Sequence, residues 1–161
     1  MIAVRPATKE DVPLLKEFIC ALAAYEQLAA ECFVTEEKLS RTLFSDHPAA
    51  EALIATFNDE PAGFALYFQN YSTFLAQPGL YLEDLFVKPE FRRNGIGEAL
   101  FRKLAQIAFE RGYGRFEWSA LDWNTPAIRF YERMGAKAMS DWTIFRLTGD
   151  ALKSVAEVRR G

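Results

Sequence analysis

Leu80-Tyr81-Leu82-Glu83-Asp84-Leu85-Phe86-Val87, closed by Lys88-Pro89 and followed by Phe91-Arg92-Arg93-Asn94-Gly95-Ile96-Gly97-Glu98-Ala99-Leu100, is the stretch that decides the fold. The first part is apolar and β-prone, and a helical pattern begins near Gly95, so a strand feeds a glycine turn that opens a helix. The first N–H groups of such a helix have no intrahelical partner and sit at the positive end of its dipole. They bind a diphosphate without many side-chain cations, and Arg92 adds one charge. A glycine pair that merely relieves crowding at a tight turn is the alternative. Two common phosphate loops are excluded: Leu100 stands where a dinucleotide fingerprint has its third glycine, and no Lys-Ser or Lys-Thr follows as in a nucleotide P-loop.

Around this centre the chain reads as an α/β protein. Residues 2–6 alternate as a short strand, and Thr8 opens a helix over about Lys9 to Leu28 whose core stripe is Leu14, Leu15, Phe18, Ile19, Leu22 and Ala23. Thr35 caps a second helix carrying Leu39, Leu43 and Phe44. Glu51 to Phe57 and Pro61 to Tyr71 form a hairpin across Asn58-Asp59-Glu60, and the Leu80 to Val87 strand extends it to an antiparallel meander. Ile96, Ala99, Leu100, Leu104, Ile107 and Ala108 keep helical period up to Gly112. The next strand, Arg115 to Ala120, then lies parallel to its predecessor through a right-handed crossover. Asn124 caps a helix that Gly135 stops, residues 136–147 read as two closing strands, and a short helix starts near Gly149.

The 161 residues fit a single domain spanning residues 1–161. Half are hydrophobic, a quarter are charged, and Phe occurs 14 times, a composition that excludes disorder. No apolar run approaches a membrane span, and Met1 to Pro6 lacks a secretory pattern, so a cytoplasmic protein is expected. Cys20 and Cys32 match no metal or redox spacing and are expected to be reduced packing residues; His47, the single histidine, reads as a loop residue. Net charge is −3 with no basic block, which argues against nucleic acid and suits a cationic substrate.

The Arg92-x-x-Gly95-x-Gly97 motif resembles the acetyl-coenzyme A pyrophosphate loop of the GCN5-related (GNAT) N-acetyltransferases. Within that superfamily Tyr81-Leu82-Glu83-Asp84, Asp122-Trp123-Asn124-Thr125-Pro126, Phe130-Tyr131 and Ala24-Tyr25-Glu26 are similar to segments of the diamine and polyamine (spermidine/spermine) and thialysine acetyltransferases. The resemblance implies a mixed, mostly antiparallel, splayed sheet of about six or seven strands flanked by helices. It implies acetyl-coenzyme A as co-substrate, no metal, and a homodimer acting on a small-molecule amine.

It also distributes roles. Arg92, Arg93, Asn94, Gly95, Ile96 and Gly97 hold the pyrophosphate, and the backbone N–H of Leu85 polarises the thioester carbonyl while those of Phe86 and Val87 hold pantetheine. Glu83 is the candidate base, through water. A primary amine has a pKa of roughly 10, so a base must take its proton at neutral pH. Asp84 helps bind the cationic amine, although alternation sends its side chain to the opposite face from Glu83 unless a bulge intervenes. Tyr25 and Glu26 line the amine channel. Tyr131 protonates the departing thiolate, or packs beside Phe130 and Met134; Asn124 touches the cofactor, or simply caps its helix. Ser72 to Gly79 replaces the Asp-Pro-Trp-containing loop of the polyamine enzymes, which leaves amine specificity open. An acetyltransferase for another amine (amino acid, peptide N-terminus, aminoglycoside) and a non-catalytic acyl-coenzyme A sensor are the alternatives.

Overall fold

The computed structural model describes residues 1–157, which fall into two compact units, Met1–Ser119 and the segment from Ala120 onward. In the first unit five strands form one sheet in sequential order: β1 (Ile2–Pro6), β2 (Glu51–Phe57), β3 (Glu60–Ser72), β4 (Gln77–Val87) and β5 (Phe116–Trp118). The first three pairings are antiparallel, and β4 and β5 are parallel. The hairpin between β2 and β3 turns at Asn58 and Asp59, both with positive φ (49° and 68°). These are the residue types that tolerate the left-handed turn matching strand twist.

Two apolar clusters cover the two faces of the sheet. On one, helix α3 (Ile96–Glu110) lays Ile96, Leu100, Leu104 and Ala108 on Leu53, Ala65, Leu80 and Leu82. On the other, α1 (Val12–Tyr25) and α2 (Glu36–Leu43) bury Leu15, Phe18, Leu22, Leu39 and Leu43 against Ile54, Phe64 and Phe86. The sheet thus has helices on both faces, and the β4–α3–β5 crossover carries the glycine turn.

The expected helix over Lys9 to Leu28 is shorter at both ends. Lys9–Asp11 forms a 3₁₀ turn in which Thr8 N–H donates to the Asp11 carboxylate at 2.7 Å, and Arg5 grips the same carboxylate at 2.7 and 2.8 Å. These bonds hold Asp11 down to about 2 and fix the passage from β1 into α1. At the other end Gln27 adopts φ 62°, and the N–H groups of Gln27 and Leu28 donate to Ala24 O (3.1 Å) and Ala23 O (2.8 Å). This paired closure stops the helix and fixes Tyr25 and Glu26 as its last turn.

In the second unit, α4 (Thr125–Arg133) is capped by Asn124, whose Oδ1 accepts from the Ala127 N–H at 3.4 Å, and α5 (Gly149–Ala156) begins where expected. The two closing strands expected over residues 136–147 are absent. The segment has a turn at Ser140-Asp141 but no paired strand, so among the described residues the sheet has five strands rather than six or seven. Trp142, Thr143, Ile144 and Phe145 are β-prone residues, but propensity describes fit to a paired, half-buried surface, and an isolated hairpin is marginal.

Candidate functional site

Backbone direction in β4 reveals the central device of the site. The Leu80 N–H donates to Arg115 O at 3.0 Å, toward β5, whereas the Lys88 N–H donates to Ala62 O at 2.8 Å, toward β3. In a regular strand, residues eight apart point the same way; these point oppositely, so one extra residue lies between them. The register identifies it. Tyr67 opposes Leu82 and Leu66 opposes Asp84, so Glu83 is the bulged residue.

The bulge moves every later side chain to the other face. Leu80 and Leu82 lie in the cluster under α3, and after the bulge Leu85 and Val87 join that cluster while Phe86 lies in the α1 cluster. Asp84 shares the Phe86 face. Without Glu83 as an extra residue, Asp84 would point into the apolar layer beneath α3; with it, the carboxylate points to the side from which α1 brings Glu26. Asp84 is half-buried, and burial first, then the charges of Glu83 and Glu26, push its carboxyl up to about 6. Burial also raises Glu26, while Glu83 itself is exposed. The bulge on which the pairing of Glu83 and Asp84 depended is therefore present, and three carboxylates from two elements gather at one place.

The same geometry opens the backbone. The β4–β5 ladder covers only Leu80, Tyr81 and Leu82, and beyond it β4 has lost its parallel neighbour. Counting back from Lys88, the N–H groups of Phe86 and Asp84 face β3 and those of Leu85 and Val87 face the open side. Leu85 and Val87 are thus free to meet a ligand, whereas the expected contribution of the Phe86 N–H is corrected: it belongs to the β3 ladder. The Phe86 ring packs instead in the α1 cluster.

At the glycine turn, Gly95 stands before α3 with φ 83°, a left-handed conformation that suits glycine, and no side chain caps the helix. The Ala99 N–H makes the first intrahelical bond, to Gly95 O at 3.0 Å, so the N–H groups of Ile96, Gly97 and Glu98 point out of the helix end. Ile96 is buried and anchors the turn. A Cβ at Gly97 would come 3.9 Å from both Leu85 Cδ2 and Val87 Cγ2, filling the space between the helix end and the open stretch of β4. Outward N–H groups for a diphosphate, a bare glycine, and two strand N–H groups for an amide-bearing arm together fit acetyl-coenzyme A. Arg93 adopts φ 66°, and Asn94 Nδ2 donates to Phe91 O (2.9 Å) and Arg92 O (3.3 Å), holding the loop's shape through its own backbone. Arg92 points elsewhere than expected: its Nε donates to Val87 O at 3.0 Å and its guanidinium lies 4.7 Å from the centre of the Tyr25 ring.

Tyr25, Glu26, Glu83, Asp84 and Arg92 are thus joined by contacts or charge within the first unit. Asn124 and Tyr131 belong to the second, where Asn124 caps α4 and the Tyr131 ring packs edge-on to Phe130 at 5.5 Å. The bulge and the seat of Arg92 escaped the reading of the sequence. The bulge left no phase signal, because the strand is apolar at every position on both sides of the acidic pair, Leu80-Tyr81-Leu82 before it and Leu85-Phe86-Val87 after it.

Residues 22–136 match the Acetyltransferase (GNAT) family. The chain belongs to that family. An L-ornithine N5-acetyltransferase of Arabidopsis thaliana is 33% identical to this GNAT enzyme, over 94% of the chain and 86% of the plant protein. A thialysine N-epsilon-acetyltransferase of Caenorhabditis elegans is 35% identical, over 93% and 94%. Among solved structures, an integron cassette protein from the mobile metagenome of V. cholerae superimposes with a TM-score of 0.80 at 27% identity, covering 98% of each chain. The GNAT fold and N-acetyltransferase activity follow. No helix among the described residues is long and apolar enough to cross a membrane.

The raised carboxyl of Asp84 makes a stability prediction. Its folded value, about 6, lies above its ordinary 3.8, so the folded state favours the protonated acid. The associated stability is complete below about pH 4 and is lost as pH rises through 6, at a cost of up to about 3 kcal/mol. Asp84→Asn is therefore expected to be more stable than the parent at pH 7 and nearly equal at pH 4. Denaturant unfolding at both pH values checks this; a gap of the same size at both would mean that Asp84 is not desolvated.

Proposed function

We propose that this GNAT enzyme transfers an acetyl group from acetyl-coenzyme A to a primary amine of a small cationic molecule, of the diamine, polyamine or thialysine type. The observation that carries the proposal is the Glu83 bulge, which turns Asp84 toward Glu26 and exposes Glu83 beside the strand edge that leads to the glycine turn. The charges of Glu83 and Glu26 beside the half-buried Asp84 favour a positively charged guest. The two enzymes named above act on ornithine and thialysine, both amines.

Acetyl-coenzyme A supplies the activated thioester. The N–H groups of Ile96, Gly97 and Glu98 hold its diphosphate, and those of Leu85 and Val87 hold the arm and polarise the carbonyl. Glu83 takes the ammonium proton, directly or through water, so that the neutral nitrogen forms the new C–N bond as the C–S bond breaks; the second proton that this nitrogen then loses balances the one the thiolate gains. Asp84 and Glu26 orient the amine. The resemblance to the polyamine and thialysine acetyltransferases assigns Tyr131 the return of a proton to the thiolate and Asn124 a contact with the coenzyme.

Coenzyme A release measured with spermidine, putrescine, thialysine, ornithine, lysine and peptide amines tests the proposal. Turnover is expected to be highest on a diamine, polyamine or thialysine. Intact coenzyme A binding with no turnover on any of them would sink it.

A further inference from the structure

The end of α1 and the glycine turn are far apart in sequence, yet a single side chain joins them. Arg92 leaves the start of the loop and lies over the ring of Tyr25, 4.7 Å from its centre, and beside the ring of Phe86 at 5.8 Å. Its Nε donates to Val87 O at 3.0 Å, so the guanidinium plane is fixed at one edge by the strand. Glu26 follows Tyr25 directly at the closed end of α1, where the Gln27 and Leu28 N–H bonds leave little freedom. A displacement of Arg92 therefore reaches Glu26 through Tyr25.

We propose that Arg92 and Tyr25 form a strut that positions the last turn of α1 against the coenzyme loop, so that the two substrate sites share one rigid joint. Tyr25 is then a positioning residue for the loop as well as a neighbour of the amine, and Arg92 acts through its stacked face as well as through its charge. The amine half of this proposal rests on the acetyltransferase reading above; the coenzyme half does not. A cation over an aromatic ring at an exposed position changes binding by a factor of roughly two to five. Lysine is no substitute for Arg92, because it has neither a planar face to stack nor a second edge to hold Val87 O.

The experiment compares Tyr25→Phe, Tyr25→Leu, Arg92→Lys and the Tyr25→Leu/Arg92→Lys double variant in the full chain. Calorimetry gives the dissociation constant for coenzyme A, steady-state kinetics at saturating acetyl-coenzyme A give the amine KM and kcat, and thermal unfolding checks the fold. Tyr25→Leu is expected to weaken coenzyme A about threefold to fivefold, and Tyr25→Phe, which keeps the ring, to stay within about twofold. Arg92→Lys is expected to raise the amine KM by a similar factor with little change in kcat. The double variant should be no worse than the worse single one, because either substitution alone removes the strut. Coenzyme A affinity unchanged in Tyr25→Leu while Arg92→Lys weakens it, or effects that multiply in the double variant, would overturn the strut. If no amine is turned over but Tyr25→Leu still weakens coenzyme A, the acetyltransferase reading fails and the joint stands.

Discussion

Glu83→Gln is expected to lower kcat/KM for the preferred amine by a factor of about 100 to 10,000, the usual worth of a positioned general base. The substitution keeps size and removes only the proton acceptor, and because Glu83 is exposed at the bulge the protein should fold normally. The deficit should shrink as pH rises toward roughly 10, where a primary amine deprotonates without help. The pH–rate profile of the variant should therefore climb through the alkaline range while that of the parent levels earlier. Asp84 supplies the contrast. Its carboxyl sits at about 6, closer to neutrality than an ordinary aspartate, so it too has the basicity of a proton acceptor near pH 7. If Glu83→Gln leaves the profile unchanged and Asp84→Asn abolishes the acid limb, the proton goes to Asp84 and Glu83 serves to raise it.

That ambiguity shows what was legible in the residues alone. Strand, glycine turn and helix were readable because each has a local cause: β-prone residues before Lys88-Pro89, a backbone that needs glycine at Gly95, and an apolar period that places Ile96, Leu100 and Leu104 on one stripe. The acidic pair was readable as chemistry, since carboxylates inside an apolar strand require a solvated cleft or partners. Its geometry was not, because a bulge is defined by the register with β3, and register is a property of two strands. Arg92 shows the same limit: its sequence position says phosphate, but its side chain is claimed by Tyr25 and Val87, which only the folded α1 and β4 bring near. Residues 136–147 failed in the opposite sense, since their β-prone run promised strands but pairing, which propensity does not supply, is missing.

Phe64→Ala should produce the largest loss of stability, about 3–5 kcal/mol out of a total that is ordinarily 5–15. The Phe64 ring is fully buried in β3 and stacks on Phe18 of α1 with centroids 5.6 Å apart and planes 1° from parallel. Phe18 in turn packs against Phe86 of β4 at 6.3 Å, so one aromatic column connects α1, β3 and β4. Removing Phe64, one end of that column, leaves a cavity that a close-packed interior cannot close. The column also carries both walls of the carboxylate cluster: Glu26 lies two turns beyond Phe18, and Asp84 opposes Leu66, two residues from Phe64. Partial collapse should therefore raise the amine KM more than the coenzyme A dissociation constant, because the glycine turn is anchored separately through Ile96 on the other face. Denaturant midpoints measure the first effect, and kinetics below the lowered melting point measure the second. Phe64→Leu, which retains most of the volume, should recover much of both, whereas Phe74→Ala, at a fully exposed position, should change stability by no more than about 0.5 kcal/mol. Equal losses in the two ligand affinities for Phe64→Ala would show that the faces of the sheet do not hold the two sites independently.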